Sequence, residues 1–181
     1  MEASKTPLLF QKALAREVER IAEDMLFQVP RKEGKPAKTA RIRAYCQNLP
    51  IQRAEILDDN LERDSIDYIE KEEAPVFHCP WAVIKIDGGT MEKTGNKQAV
   101  RTAVCFGIFN DSEENKGHEE ILNLIQRIYE RFAKEPILDQ QYVCQGEIEW
   151  AMQEEDTHPY FFGAMSMTFE FTGIGRENPY L

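Results

Sequence analysis

The sequence lacks any apolar run long enough for a membrane helix, which needs about 18 or more consecutive apolar residues. Charged residues interrupt every hydrophobic stretch of the 181-residue chain, with 22 Lys and Arg and 32 Asp and Glu. The residues after Met1 also lack the apolar core that follows the basic start of a secretory signal. We therefore expect a cytoplasmic protein that does not contact membranes.

Positive charge is scarce. The formal net charge is −10 at pH 7, and an excess of acid disfavours binding to nucleic-acid backbones. The composition favours protein partners and predicts no sequence-specific nucleic-acid binding. With 42% hydrophobic residues, the chain is predicted to form one domain over residues 1–181.

Catalytic and metal-binding motifs are also missing. The sequence contains no G-x-S-x-G, no glycine-rich phosphate loop, no H-E-x-x-H and no C-x-x-C. A zinc site would need remote thiols to converge, so we expect reduced, mostly buried thiols at Cys46, Cys79, Cys105 and Cys144. His78 and Cys79 would point to opposite faces of a strand and not share a proton. We predict no catalytic residue, no cofactor and no metal.

Two stretches show the helical period. The stronger one, residues 118–133, has an apolar face made of Ile121, Leu122, Leu124, Ile125, Ile128, Tyr129 and Phe132. A first helix is predicted over about residues 6–28, with Thr6 as N-cap, Pro7 in the first turn and Pro30 after its end. Both helices are amphipathic and need a surface to cover.

Alternating or β-branched segments predict the strands. They lie at about residues 76–89, 100–109, 141–150 and 160–172, with a short strand at 42–46. In the third strand, the apolar residues from Tyr142 to Trp150 alternate with polar residues. We therefore expect the apolar residues to form one buried face. The predicted fold is α+β: a mixed or mostly antiparallel sheet of about four to five strands, two helices packed on one face, a long 31–75 connection and a flexible tail from 173 to 181.

Charge changes sign within the long connection. Gly34 and Pro36 indicate a loop, and Glu33 is the one acid among six bases, Arg31, Lys32, Lys35, Lys38, Arg41 and Arg43. Such an arm either binds an acidic partner surface, a neighbouring subunit or phosphate, or it is a solvated loop that interacts with the protein's own acids. Both interpretations stay open from the sequence.

Acidic residues dominate the rest of the connection. Residues 51–75 carry nine acids and little apolar sequence, which is typical of a long connecting segment. A carboxylate cluster for a divalent cation is the alternative, although no EF-hand spacing is present. A second acidic stretch, residues 111–120, contains Asp111, Glu113 and Glu114.

Several motifs together resemble one protein family. A β-rich segment, an acidic turn, Gly117 and an Ile/Leu-rich helix are followed by a strand that ends in Glu149 and Trp150. An acidic turn then leads to the succession from His158 to Gly163, and Pro80-Trp81-Ala82 begins an earlier strand. Residues 76–172 thus resemble the tail terminator, or tail completion, proteins of long-tailed bacteriophages and prophages.

The resemblance implies an α+β subunit that assembles into a ring, often a hexamer, on the head-proximal end of the tail tube. The ring would stop tube polymerisation and provide the surface to which the head joins. Its partners would be other copies of the chain, the tube protein and a head completion or connector protein. It would be found in the host cytoplasm during assembly and then in the virion tail.

A closed ring needs two different, complementary surfaces on each subunit. Our hypothesis pairs the basic arm with the acidic 51–73 and 111–120 segments. Tyr180, near the C-terminal end, either reaches a neighbouring subunit or belongs to a frayed terminus.

Other functions remain compatible with the sequence. A different head–tail joining or tail-associated protein would have a similar fold. A small cytoplasmic enzyme without a recognisable motif would show perturbed titratable groups in one deep pocket. A regulatory module would bind its partner through an exposed edge strand.

Overall fold

A computed structural model describes residues 6–30, 36–50, 79–92 and 96–173. These residues form two helices on an eight-stranded sheet. The elements are α1 (Pro7–Ile21), β1 (Phe27–Val29), β2 (Lys38–Ala40), β3 (Arg43–Cys46), β4 (Trp81–Met91), β5 (Lys97–Phe109), α2 (Gly117–Lys134), β6 (Ile137–Leu138), β7 (Tyr142–Met152) and β8 (Tyr160–Thr172). The α+β class is confirmed, whereas the predicted count of four to five strands is too low.

The centre of the sheet is the pair β5 and β8, which run antiparallel over 13 residues each. The strand order is β2-β1-β5-β8-β7-β6, and β4 lies between β5 and β3. Because β8 occupies one side of β5 throughout, β1 and β4 share its other side. The outermost strands are therefore β2 and β3 on one side of the sheet and β6 and β7 on the other.

Short strands account for much of the difference in strand number. The helix predicted to reach residue 28 ends at Ile21, and Phe27–Val29 form β1 instead. β2 lies within the segment predicted to be a loop, where it pairs with β1. The predicted strand at residues 42–46 is confirmed as β3, which runs parallel to β4.

The strand predicted over about residues 76–89 extends beyond its predicted end. β4 continues to Met91, and a bulge between Ile86 and Gly88 accommodates the extra residue while pairing with β5 resumes. Gly88 has φ of 154° at this bulge, and Gly89 lies so close to the carbonyl of Ala99 that an added Cβ would be 2.4 Å from its oxygen. The two glycines therefore let the strand pass through the bulge and do not end it.

Local signals place both helices correctly at their N-terminal ends. The Leu9 N–H donates to Thr6 Oγ1 at 3.2 Å, so Thr6 is the N-cap of α1 and Pro7 stands in its first turn. In α2 the buried residues are Ile121, Leu124, Ile125, Ile128 and Phe132. Leu122 and Tyr129, predicted on the same face, are exposed.

Both helices cover one face of the sheet, as predicted. The core between the helices and the sheet contains an aromatic cluster centred on Phe10 of α1. Its ring lies 4.8 Å from that of Phe169 and 5.3 Å from that of Tyr142, centroid to centroid. Met165, Met167 and Phe171 complete the buried face of β8, so the predicted alternation of this strand is confirmed.

An ion pair connects the two helices where they meet. Arg131 Nε of α2 lies 2.5 Å from Glu17 Oε1 of α1, and Glu17 also binds Arg20. The hydrogen bond from Arg20, with the charge of Arg131, lowers the pKa of Glu17. A lowered pKa means that this pair stabilises the fold at neutral pH and that its contribution is lost as pH falls through the lowered pKa.

Candidate assembly interface

The basic residues predicted to bind a partner lie on the outermost strands of one side. Lys38 is exposed on β2, Arg41 is exposed in the link to β3, and Arg43 is exposed on β3. The Arg43 guanidinium lies 5.6 Å from the centre of the Tyr45 ring, in a cation–π contact. We call residues 38–46 the basic edge. Arg31, Lys32 and Lys35 lie outside the described residues, as does Tyr180.

Of the two acidic segments in the hypothesis, residues 51–73 lie outside the described residues, and Asp111, Glu113 and Glu114 lie in the loop between β5 and α2. The backbone N–H of Asp111 donates to Gln28 Oε1 of β1 at 3.0 Å. Glu113 is exposed, and Glu114 forms an ion pair in which its Oε2 lies 2.5 Å from Lys116 Nζ. β1, the strand that contains Gln28, also pairs with β2 of the basic edge. The structure therefore brings the acidic loop and part of the basic edge to the same strand of one subunit.

This loop also packs against the turn before β8. Asn110 N–H donates to the Pro159 carbonyl at 2.8 Å, and the Asn110 side chain donates to Glu120 at 3.2 Å. Burial raises the pKa of Glu120. A Cβ on Gly117 would lie 2.3 Å from the Phe161 ring, so glycine permits this close packing. The acidic turn and the His158–Gly163 succession, distant in sequence, are thus neighbours.

A second acidic surface was missed by sequence reasoning. β7 has β8 on one side over residues 145–152, and no described strand lies along its other side there. Glu147, Glu149 and Trp150 are exposed on this stretch, Trp150 by 57%. We call residues 145–156, which extend β7 into the following turn, the acidic edge.

The exposure of Trp150 corrects the prediction of one buried face from Tyr142 to Trp150. Pairing with β8 shifts between Gln145 and Glu149, where Gly146 takes φ of 73°. Tyr142, before this bulge, is 2% exposed and belongs to the core. The alternation itself passes through the bulge, because Ile148 and Met152 still pack against the core and Trp150 pairs in register with buried Met165. Burial is lost at Trp150 although it lies on the predicted face.

A groove of about 480 Å³ follows the acidic edge between α2 and β7. Tyr129 and Ala133 of α2 line one side of it, and Gly146, Glu147 and Glu149 line the other. Tyr129 is 48% exposed. Aromatic rings beside carboxylates make a surface suited to arginine side chains, which form ion pairs and stack on rings.

Three of the four cysteines are unreactive in this environment, whereas Cys46, predicted among the mostly buried thiols, is exposed on β3. Burial raises the pKa of Cys79 to about 12 and that of Cys144 to about 11, and it also raises the pKa of Cys105. These three thiols are therefore protonated at neutral pH and are poor nucleophiles. His78 lies outside the described residues.

Within the part of the chain that the structure describes, no group of three or more His, Cys, Asp or Glu side chains is placed to hold a metal ion. No described helix is long and apolar enough to cross a membrane. No protein-family model and no curated protein matches the sequence.

Proposed function

We propose that the chain is a phage or prophage tail terminator, a structural protein that assembles into a ring on the head-proximal end of the tail tube. There it would stop tube polymerisation and present the surface to which the head joins. The motif resemblance of residues 76–172 supports this proposal, and so does the α+β arrangement with both helices on one face.

One structural observation carries the assembly part of the proposal. The sheet ends in two different surfaces of opposite charge, the basic edge and the acidic edge. Two unlike surfaces on one subunit permit head-to-tail contacts, which close into a ring when the rotation between copies is a whole fraction of a turn.

Termination predicts an effect on tube growth. The purified chain, added to tail tubes growing from a self-polymerising tube protein, is expected to stop elongation by occupying one end. The tube lengths, measured by electron microscopy, should stay at their values at the time of addition. An unrelated acidic protein of similar mass, at the same concentration, serves as the control.

Continued elongation at the control rate, with no added density at tube ends, would contradict termination. Bound density at an end that continues to grow would instead indicate a different tail-associated role.

A further inference from the structure

The two edges of the sheet differ completely in the sign of their charges. Residues 36–50, which include the basic edge, contain three bases and no Asp or Glu. Residues 142–156, which include β7, contain no Lys or Arg and five acids, Glu147, Glu149, Glu154, Glu155 and Asp156. In a chain whose charges are otherwise mixed, the two edges are therefore electrostatically complementary.

The acidic edge also offers unpaired backbone groups. β7 pairs with β8 at Gln145 and over residues 149–152, residues 146–148 form the bulge between them, and no described strand pairs with the other side of β7 over residues 145–152. An exposed strand edge with free N–H and C=O groups is a template for another strand. Like-charged side chains along it hinder pairing with an identical edge.

The basic edge is only partly closed by its own subunit. The Ala44 N–H of β3 donates to Glu19 Oε1 of α1 at 2.8 Å, which satisfies one outward backbone group. β2 pairs with β1 on one side, and none of the described strands lies beyond it. The bases of this edge therefore lie on or near β2, whose outer side can pair with another strand.

Repulsion between like edges selects the mode of association. Two basic edges repel each other, as do two acidic edges, so a two-fold symmetric dimer through either edge is disfavoured. The unlike pair is favoured and leaves one free edge of each kind on the resulting dimer. Repetition of this contact adds subunits in one direction until the ring closes.

We propose that copies of this chain join edge to edge, with the basic edge of one copy lying along the acidic edge of the next. Arg43 and Arg41 of one copy meet Glu147 and Glu149 of its neighbour beside the groove lined by Tyr129. This inference rests on the proposed ring assembly and names its two surfaces. The acidic partner is β7, in place of the loop that contains Glu113 and Glu114.

Charge reversal tests the pairing with three variants. The acidic-edge variant carries Glu147→Lys, Glu149→Lys and Glu154→Lys; the basic-edge variant carries Lys38→Glu, Arg41→Glu and Arg43→Glu. The matched control, called the loop control, carries Glu113→Lys, Glu114→Lys and Glu119→Lys, the same charge change as the acidic-edge variant but in the β5–α2 loop and the first turn of α2. All nine side chains are exposed, so thermal unfolding should remain cooperative in each variant.

Each edge variant alone is expected to associate at least about 100-fold more weakly than the natural chain, because its two edges now carry the same sign. The loop control is expected to associate like the natural chain. Mixing the two edge variants in equal amounts should restore assembly, since one has two basic edges and the other two acidic edges. Alternating copies close only rings with an even number of subunits, which includes a hexamer.

Native mass spectrometry at low salt distinguishes the outcomes. The edge pairing would be overturned if either edge variant alone assembled like the natural chain. It would also be overturned if the loop control lost assembly while the edge variants kept it. Both results would leave ring formation intact. A mixture of edge variants that stays monomeric would also overturn the edge pairing. A natural chain that associates neither in solution nor on tube ends would instead overturn the proposed function.

Discussion

Phe10→Ala is expected to lower the free energy of unfolding by about 3–5 kcal/mol, the range for removing a large aromatic side chain from a core. Phe10 is 0% exposed, and its ring contacts those of Phe169, Tyr142 and Phe171. The substitution would leave a cavity where the Phe10 ring packs against aromatic residues of β7 and β8. Urea unfolding monitored by circular dichroism measures the change.

Leu8→Ala on the same helix is the matched control. Leu8 is 57% exposed, so its truncation should change stability by less than about 0.5 kcal/mol. Equal effects of the two substitutions would contradict the placement of Phe10 at the centre of the core.

Gly107→Val is expected to destabilise the fold by about 3 kcal/mol, the upper end of the usual range for overpacking. Gly107 is buried on the sheet face opposite the helices, and an added Cβ would lie 2.3 Å from the Trp81 ring. The Trp81 ring would have to leave its cluster with Cys79, Val83 and Phe109. Thermal unfolding of the variant gives the size of the loss.

A second substitution identifies the cause. Trp81→Leu removes the ring, so the added cost of Gly107→Val should be smaller in a Trp81→Leu background than in the natural chain. An unchanged cost would mean that Trp81 is not what Gly107 accommodates.

Much of the fold was predictable because its signals are local. The Thr6–Pro7 cap, the apolar face of α2 and the alternation along β8 each depend on residues within a few positions of one another. The structure confirms the cap and the alternation, and it confirms the apolar face of α2 except at Leu122 and Tyr129, which are exposed. Strong periodicity over 13 or more residues left little ambiguity about the type of these elements.

The short strands were not predictable in this way. Phe27 fitted both the end of a helical pattern and a strand, and it became part of β1 because β1 pairs with β2 and β5. β2 is three residues long, and Thr39 is its single β-branched residue, which is too short a pattern to predict a strand. Pairing partners, which are distant in sequence, decide such segments.

Only the basic half of the candidate interface was predictable, because the acidic half depends on the strand order, which is set by residues distant in sequence. Lys38, Arg41 and Arg43 drew attention as a run of bases, and the structure places them on an outer side of the sheet. Glu147 and Glu149 looked like the wet side of an ordinary amphipathic strand. Only the strand order shows that β7 lies near the opposite side, where its outer edge is available to a neighbour.

Light scattering over a concentration series of the purified chain at low salt tests ring assembly most directly. A closed ring predicts one discrete oligomer whose mass stays constant as concentration rises; for six copies of 21.0 kDa that mass is 126 kDa. Raising the salt concentration should dissociate it, because screening weakens contacts between the charged edges. A mass that stays at 21.0 kDa at every concentration, or one that grows without limit, would contradict a closed ring that forms in solution.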